Sequence, residues 1–274
     1  MASIIERDRS FAVVYYAIVE GKKKQIWESF PSRREAKARK AEVENELNDG
    51  TFIPPSRQTI REFLQDFVAL YGEEKWSLST YSTNLGFIEN YINPLIGDEP
   101  IQDFSVRSAD MYFKRLKKTK AVSIPGRAAR TELVGPAVAT NAYKLLRCAF
   151  GKAVKWEVIK RNPFELVEKP KQTYRTRDIW DAETIRKALD ECRDSKLYVA
   201  MNLSFSCSLR IGEILGLTWD NIHIADNEIA ADNAHLFVEK ELQRASLKAI
   251  RALDEKDSIS SSRPSSPTRP HGSS

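Results

Sequence analysis

Within Ser204–Ile222, SFSCSLRIGEILGLTWDNI, a full positive charge stands inside a hydrophobic run. At helical spacing Leu209, Ile211, Ile214, Leu215 and Leu217 form an apolar face, while Arg210 and Glu213 fall three apart on another. An arginine flanked by Leu and Ile has to be paired or has to face a polyanion, because burying a lone guanidinium is very costly. Either Arg210 and Glu213 form an internal ion pair with the arginine lying on the surface, or Arg210 grips an anion.

The charge of the whole chain bears on that choice. The 274 residues carry a net charge of +5, but Arg107–Arg177 holds 18 Lys+Arg against 5 Asp+Glu, and the remainder 25 against 33. A regional excess of +13 points to a polyanion-binding surface, since neutralising phosphates with counterion release drives nucleic-acid affinity. The competing account is a solvated helical surface, the usual fate of charge runs. The length allows two or three domains, each with its own core. No apolar run approaches the roughly 20 residues of a membrane span, and MASIIERDRS has neither a signal-peptide core nor a lipidation motif. Cys148, Cys192 and Cys207 lack metal spacing and read as buried free thiols of a cytoplasmic protein. No metal or cofactor is expected, and no membrane partner.

Along the chain, SFAVVYYAIVE, a turn at Gly21 and QIWESF predict strands over Ser10–Phe30. Ser32 with Glu35 predicts a helix start, ended by Asp49-Gly50. A small sheet with one helix has little core, so a minor, loosely attached domain is expected. After the Pro-marked FIPPSRQ, Thr59 with Glu62 opens a helix striped by Ile60, Phe63, Leu64, Phe67, Val68 and Tyr71. Further helices are expected over about Ser79–Asn93, ending at Pro94, over Ser105–Lys118, and over about Ala137–Trp156. Lys160–Arg177 reads as a basic linker. Asp181 or a near neighbour caps AETIRKALDEC, LYVAMNLSFSC leads to the arginine segment, and EKELQRASLKAIRALDEK reads as a helix.

The longer pattern Leu209-Arg210-x-x-Glu213-x-x-x-Leu217-x-Trp219, ending in Asn221-Ile222, resembles the first arginine box of the tyrosine recombinases, the phage and transposon integrases. The usual Asp before the final Ile is Asn221 here. The resemblance implies that Arg210 clamps the scissile phosphate and that Glu213 supports the local structure. The four helices closed by NAYKLLRCAFGKAVKWEVIKRNPFELVEKPK, with Asn162-Pro163 after a Trp-containing helix end, look like the core-binding domain of the same family. By that likeness Thr80, Thr83, Asn141, Lys144, Arg147 and Lys155 meet phosphates and groove edges. Lys169, Lys171, Arg175 and Arg177 suit a strap along the backbone. Lys22, Lys23 and Lys24, with Tyr15 and Tyr16, are candidates for a DNA-contacting N-terminal arm domain.

The family's chemistry needs a tyrosine nucleophile, two arginines, a lysine and histidines around the phosphodiester. His223, His235 and His271 are followed three residues on by Asp226, Val238 and Ser274, so no His-x-x-Arg occurs, and the last tyrosine, Tyr198, lies upstream of Arg210. From Ser258 the chain becomes SISSSRPSSPTRPHGSS, which cannot form a packed core. A C-terminal truncation is therefore expected, by frameshift or as a natural short form.

The expected fold is mainly α with a small N-terminal α+β domain. It comprises an arm-type DNA-binding domain (1–54, sheet plus helix), a helical core-binding domain (57–160), a basic linker (161–177), a partial catalytic domain (178–257) and a disordered tail (258–274). The expected function is binding of double-stranded, attachment-site-like DNA in the integration or excision of a phage or conjugative element, without cleavage. Other integrase protomers and accessory DNA-bending proteins are the implied partners. Two alternatives stand: an active integrase completed by sequence outside this chain, and a non-enzymatic helical DNA-binding regulator.

Overall fold

The computed structural model describes residues 2–19, 21–123, 132–171, 178–243 and 245–253. Strands β1 (Ser3–Arg7), β2 (Ser10–Val19) and β3 (Lys22–Phe30) form an antiparallel sheet in the order β1-β2-β3. β1 goes beyond the expected strands. SIIER is short and ends in charges, so its pairing with β2, Ile4 opposite Val13, holds it in place. Gly21 takes the positive φ of 74° that the β2–β3 turn uses. β2 sends Val13, Tyr15 and Ala17 to one face, where Ala36 and Val43 of α1 (Arg33–Asn48) close a small core. Ser32 caps α1 by accepting the Glu35 N–H.

α2 (Ile60–Phe67) opens on a complete capping box: Thr59 accepts from the Glu62 N–H, and the Glu62 carboxylate accepts from the Thr59 N–H at 2.8 Å. α3 (Glu73–Lys75), α4 (Leu78–Phe87), a π-helical turn at Ile88–Ile92 and α5 (Asn93–Ile96) follow. The helix expected to end at Pro94 does not end there. The widened turn absorbs the lost N–H, and Pro94 occupies the first turn of α5, where a missing donor is tolerated. α6 (Val106–Leu116) and α7 (Pro136–Lys155) come next in the chain. Then come α8 (Ala182–Glu191), capped by Asp181, and α9 (Lys196–Cys207), α10 (Ile211–Gly216), α11 (Asp226–Ala230) and α12 (Leu247–Leu253). β4 (Ile222–His223) pairs antiparallel with β5 (His235–Leu236).

The chain forms two compact units, Met1–Ala69 with Phe87–Gln172, and Leu70–Gly86 with Thr173–Ser274. In the first, Phe164 is fully buried, with the rings of Phe150, Phe104 and Phe113 at 4.9, 5.7 and 6.2 Å. Asn162 explains the Asn-Pro pair: its Nδ2 donates to the Arg147 carbonyl and its Oδ1 accepts from the Phe164 N–H, both at 3.0 Å. The side chain thus ties the Pro163–Glu165 turn to α7 and seats Phe164. The sheet with α1 falls within this same compact unit. Lys160 pairs with Glu46, and Gln102 Nε2 donates to the carbonyls of Pro54 and Val158 at 3.0 Å each.

The second unit is packed differently. Tyr81 and Ala249 are its buried large or apolar side chains among the described residues, whereas Ile179, Trp219, Leu247, Ile211 and Leu215 are largely exposed. The cysteines depart from expectation as well: Cys148 and Cys207 are exposed and Cys192 half-buried, all three free. Residues 239–246 are not helical where described, and α12 begins only at Leu247. Among the described residues no helix is long and apolar enough to cross a membrane.

Candidate functional site

Arg210 does not lie inside a helix. α9 ends at Cys207, Ser208 turns left-handed at φ 55°, and Arg210 becomes the N-cap of α10. The periodicity that aligned Leu209 with Leu217 crosses this break. Glu213 reaches back with both oxygens: Oε2 accepts the Arg210 backbone N–H at 2.8 Å and Oε1 accepts from the guanidinium at 3.0 Å. The pair is asymmetric, with side-chain exposure of 75% for Arg210 and 10% for Glu213. A carboxylate set inward therefore holds one edge of a guanidinium turned to solvent. Most of the five donors of that group remain directed outward, and their planar fork matches phosphate oxygens.

Close backbone packing fixes this corner. The Leu242 N–H donates to the Gly212 carbonyl at 2.8 Å. A Cβ on Gly216 would stand 2.6 Å from the Lys240 carbonyl oxygen, so only glycine lets residues 240–241 cross α10 there. Lys240 itself is exposed.

Four of the residues expected to meet DNA lie on α7. Asn141, Lys144, Arg147 and Lys155 are exposed and recur at helical spacing, opposite the buried Ala142, Leu146, Ala149 and Ala153. Lys152 joins this stripe and was missed by sequence reasoning, although it lies eight positions after Lys144. Cys148 is exposed because it shares that face, a position the same periodicity could have supplied. The helix contains no Asp or Glu.

At the sheet, Lys22, Lys23 and Lys24 are exposed on β3, opposite Val19, Ile18 and Ala17. Lys23 Nζ sits 5.1 Å from the ring centre of the exposed Tyr16. Tyr15 points the other way, as alternate strand residues must, and is buried with its hydroxyl donating to Glu28. It is therefore not a surface contact. Burial first, and then Glu28, push its pKa up. Arg39 grips the same carboxylate through Nε at 2.8 Å and Nη2 at 3.1 Å. Burial alone would push the Glu28 carboxyl up, but the hydrogen bonds from Arg39 and Tyr15 hold it below its usual range.

Thr80 and Thr83 are exposed on α4, each tied locally: Thr80 Oγ1 accepts from the Ser77 hydroxyl and Thr83 Oγ1 donates to the Ser79 carbonyl. Lys169 and Lys171 are exposed at the end of the first unit, while Arg175 and Arg177 lie outside the described residues.

No family model matches the chain, and no curated protein does. Solved structures do. The Tn1549 transposon integrase in complex with a circular intermediate DNA is 18% identical with a TM-score of 0.51, over 70% of this chain and 55% of that one. A lambda integrase dimer bound to a COC' core site is 18% identical with a TM-score of 0.49, over 81% and 60%. A lambda integrase tetramer bound to a Holliday junction is 19% identical with a TM-score of 0.49, over 78% and 58%. The chain thus spans a little over half the length of these proteins, and what it shares with the first is the fold.

Proposed function

We propose that this chain, which has the fold of the integrases, is a duplex-DNA-binding protein of the tyrosine-recombinase family, serving integration or excision of a mobile element. The observation that carries this reading is α7, a twenty-residue helix without a carboxylate whose exposed face presents Asn141, Lys144, Arg147 and Lys155. Unbalanced ammonium and guanidinium groups on a rigid helix neutralise backbone phosphates, while Asn141 can meet a base edge. Arg210, braced by Glu213, supplies a second phosphate grip, and Thr80, Lys171, Arg175 and Arg177 extend the contact. Lys22, Lys23 and Lys24 serve an arm-type site on the sheet. On this reading residues 1–54, 57–160 and 178–257 act as arm-binding, core-binding and catalytic-type parts, with 161–177 between them. Other protomers and DNA-bending proteins are the partners it calls for.

The polypeptide of this sequence binds without cutting, because it holds no His-x-x-Arg and no tyrosine after Tyr198. The test is duplex binding across a salt series. Lys144→Gln with Lys155→Gln should make the slope of log K against log salt shallower by about 1.8, at about 0.9 for each phosphate no longer neutralised. No retardation of any duplex at low salt would refute the function. A nicked suicide substrate should trap no covalent adduct, and a trapped adduct would favour the active enzyme.

The regulator reading draws on the Arg210–Glu213 pair, which is compatible with a purely structural role. Arg210→Ala separates the two. A loss of duplex affinity with an unchanged melting temperature supports the phosphate grip, and the reverse supports the structural pair.

A further inference from the structure

Between the end of α6, the start of α7 and residues 167–171 lies a cavity of about 690 Å³. Its lining is lopsided in charge, with Lys114, Lys117, Lys118, Lys169 and Lys171 against Asp110 and Glu168. Two segments far apart in sequence bring these lysines together. Among the described residues, no carboxylate lies within ion-pair distance of any of the five. The start of α7 faces the same space, with Gly135 as N-cap, Pro136 in the first turn and no side chain capping it.

The walls are held in place. The Thr140 hydroxyl, 2% exposed, lies 3.0 Å from the Pro136 carbonyl and 3.2 Å from the Pro170 carbonyl, pinning the lysine-bearing exit segment to α7. The Val134 N–H donates to the Thr119 carbonyl and the Ala121 N–H to the Glu132 carbonyl, both at 2.9 Å, tying the end of α6 to the approach of α7. Helix polarity accounts for Lys114 and Lys117, which complement the last carbonyls of α6. It does not account for Lys169 and Lys171. Like charges converging on one cavity repel, and an anion seated among them turns that cost into attraction.

We infer that this cavity seats consecutive phosphates of a duplex backbone and sets the register of the first unit on DNA. The inference rests on the function proposed above and adds a contact separate from the exposed face of α7. Ammonium groups act here as point charges, so the site positions the duplex without reading its sequence.

The experiment uses the full chain carrying Lys117→Gln with Lys169→Gln, both at exposed positions, with a thermal melt verifying that the variant folds as the parent does. The salt slope should become shallower by about 1.8, by the same amount for unrelated duplex sequences. A second variant, Thr140→Val, keeps all five charges but frees the exit segment, and should also weaken binding with a shallower slope. If the parent binds duplex and the double variant keeps its slope, the cavity assignment alone fails. If the parent binds no duplex at low salt, the proposed function fails and the cavity assignment with it.

Discussion

Phe164 and Trp219 are both large aromatic residues in short 3-10 turns, yet one is fully buried and the other 81% exposed. Phe164 meets rings from α6, α7 and the turn before α6, segments brought together over long stretches of chain. Trp219 shares its exposure with Ile211, Leu215, Ile179 and Leu247. Apolar periodicity is present in both units. It raises an amphipathic helix in either place, but a core forms only where several such faces meet. The first unit is therefore a finished hydrophobic body, while the second presents its apolar side chains outward.

The strongest way to break that comparison is a pair of truncations. Phe164→Ala should cost about 3–5 kcal/mol in urea unfolding, the usual range for a buried Phe. Trp219→Ala should stay within about 0.5 kcal/mol, as exposed positions do. Equal losses at the two sites would show that Trp219 is covered in solution.

Glu28 tests the polar side of the first unit. Its carboxyl accepts from both Tyr15 and Arg39, so Glu28→Gln should cost about 1–3 kcal/mol at neutral pH. Because its folded pKa is depressed, the stabilisation is complete above the unfolded value and fades as pH falls through the lower folded value. The difference between parent and variant should accordingly shrink on acidification. A difference that stays constant down to strongly acid pH would exclude the carboxylate as its source.

How far the sequence foretold these features depends on whether the cause was local. The Thr59–Glu62 box and the Asp181 cap were legible because a cap is a contact between residues three apart. The exposed stripe of α7 was legible from its 3.6 periodicity, with Lys152 and Cys148 overlooked on the same stripe. The break before Arg210 was not, because Ser208 is not one of the residues, such as Gly or Asn, that announce a left-handed position, and the hydrophobic spacing continues across it. Nor was the crossing of α10 by residues 240–242, which depends on contacts with a segment two dozen residues away. The Arg210–Glu213 pairing itself followed from the sequence, but not its asymmetry, since only packing decides which partner faces inward.

Gly216 sharpens the contrast from within the second unit. Its added methyl would meet backbone rather than a flexible side chain, so Gly216→Ala should displace residues 240–242 and cost about 1–3 kcal/mol. Amide exchange should accelerate at Leu242, which donates to Gly212, and not in α7. Acceleration in both places would mean that the two units unfold together.

The smallest expected effects concern two buried tyrosines of the first unit, where the same substitution should have opposite signs. Tyr15 donates its hydroxyl to Glu28, whereas the Tyr112 hydroxyl is buried without a partner among the described residues. Burial raises the pKa of both groups, so neither should ionise before the protein unfolds in alkali. Tyr15→Phe leaves Glu28 one donor short and should cost about 1 kcal/mol. Tyr112→Phe removes a group that has lost its water and gained nothing, so it should stabilise by up to about 1 kcal/mol, read as a higher urea midpoint at an unchanged m-value. A lower midpoint for Tyr112→Phe would mean that the hydroxyl is satisfied in solution. The first unit would then be complete in its polar pairing as well as in its volume.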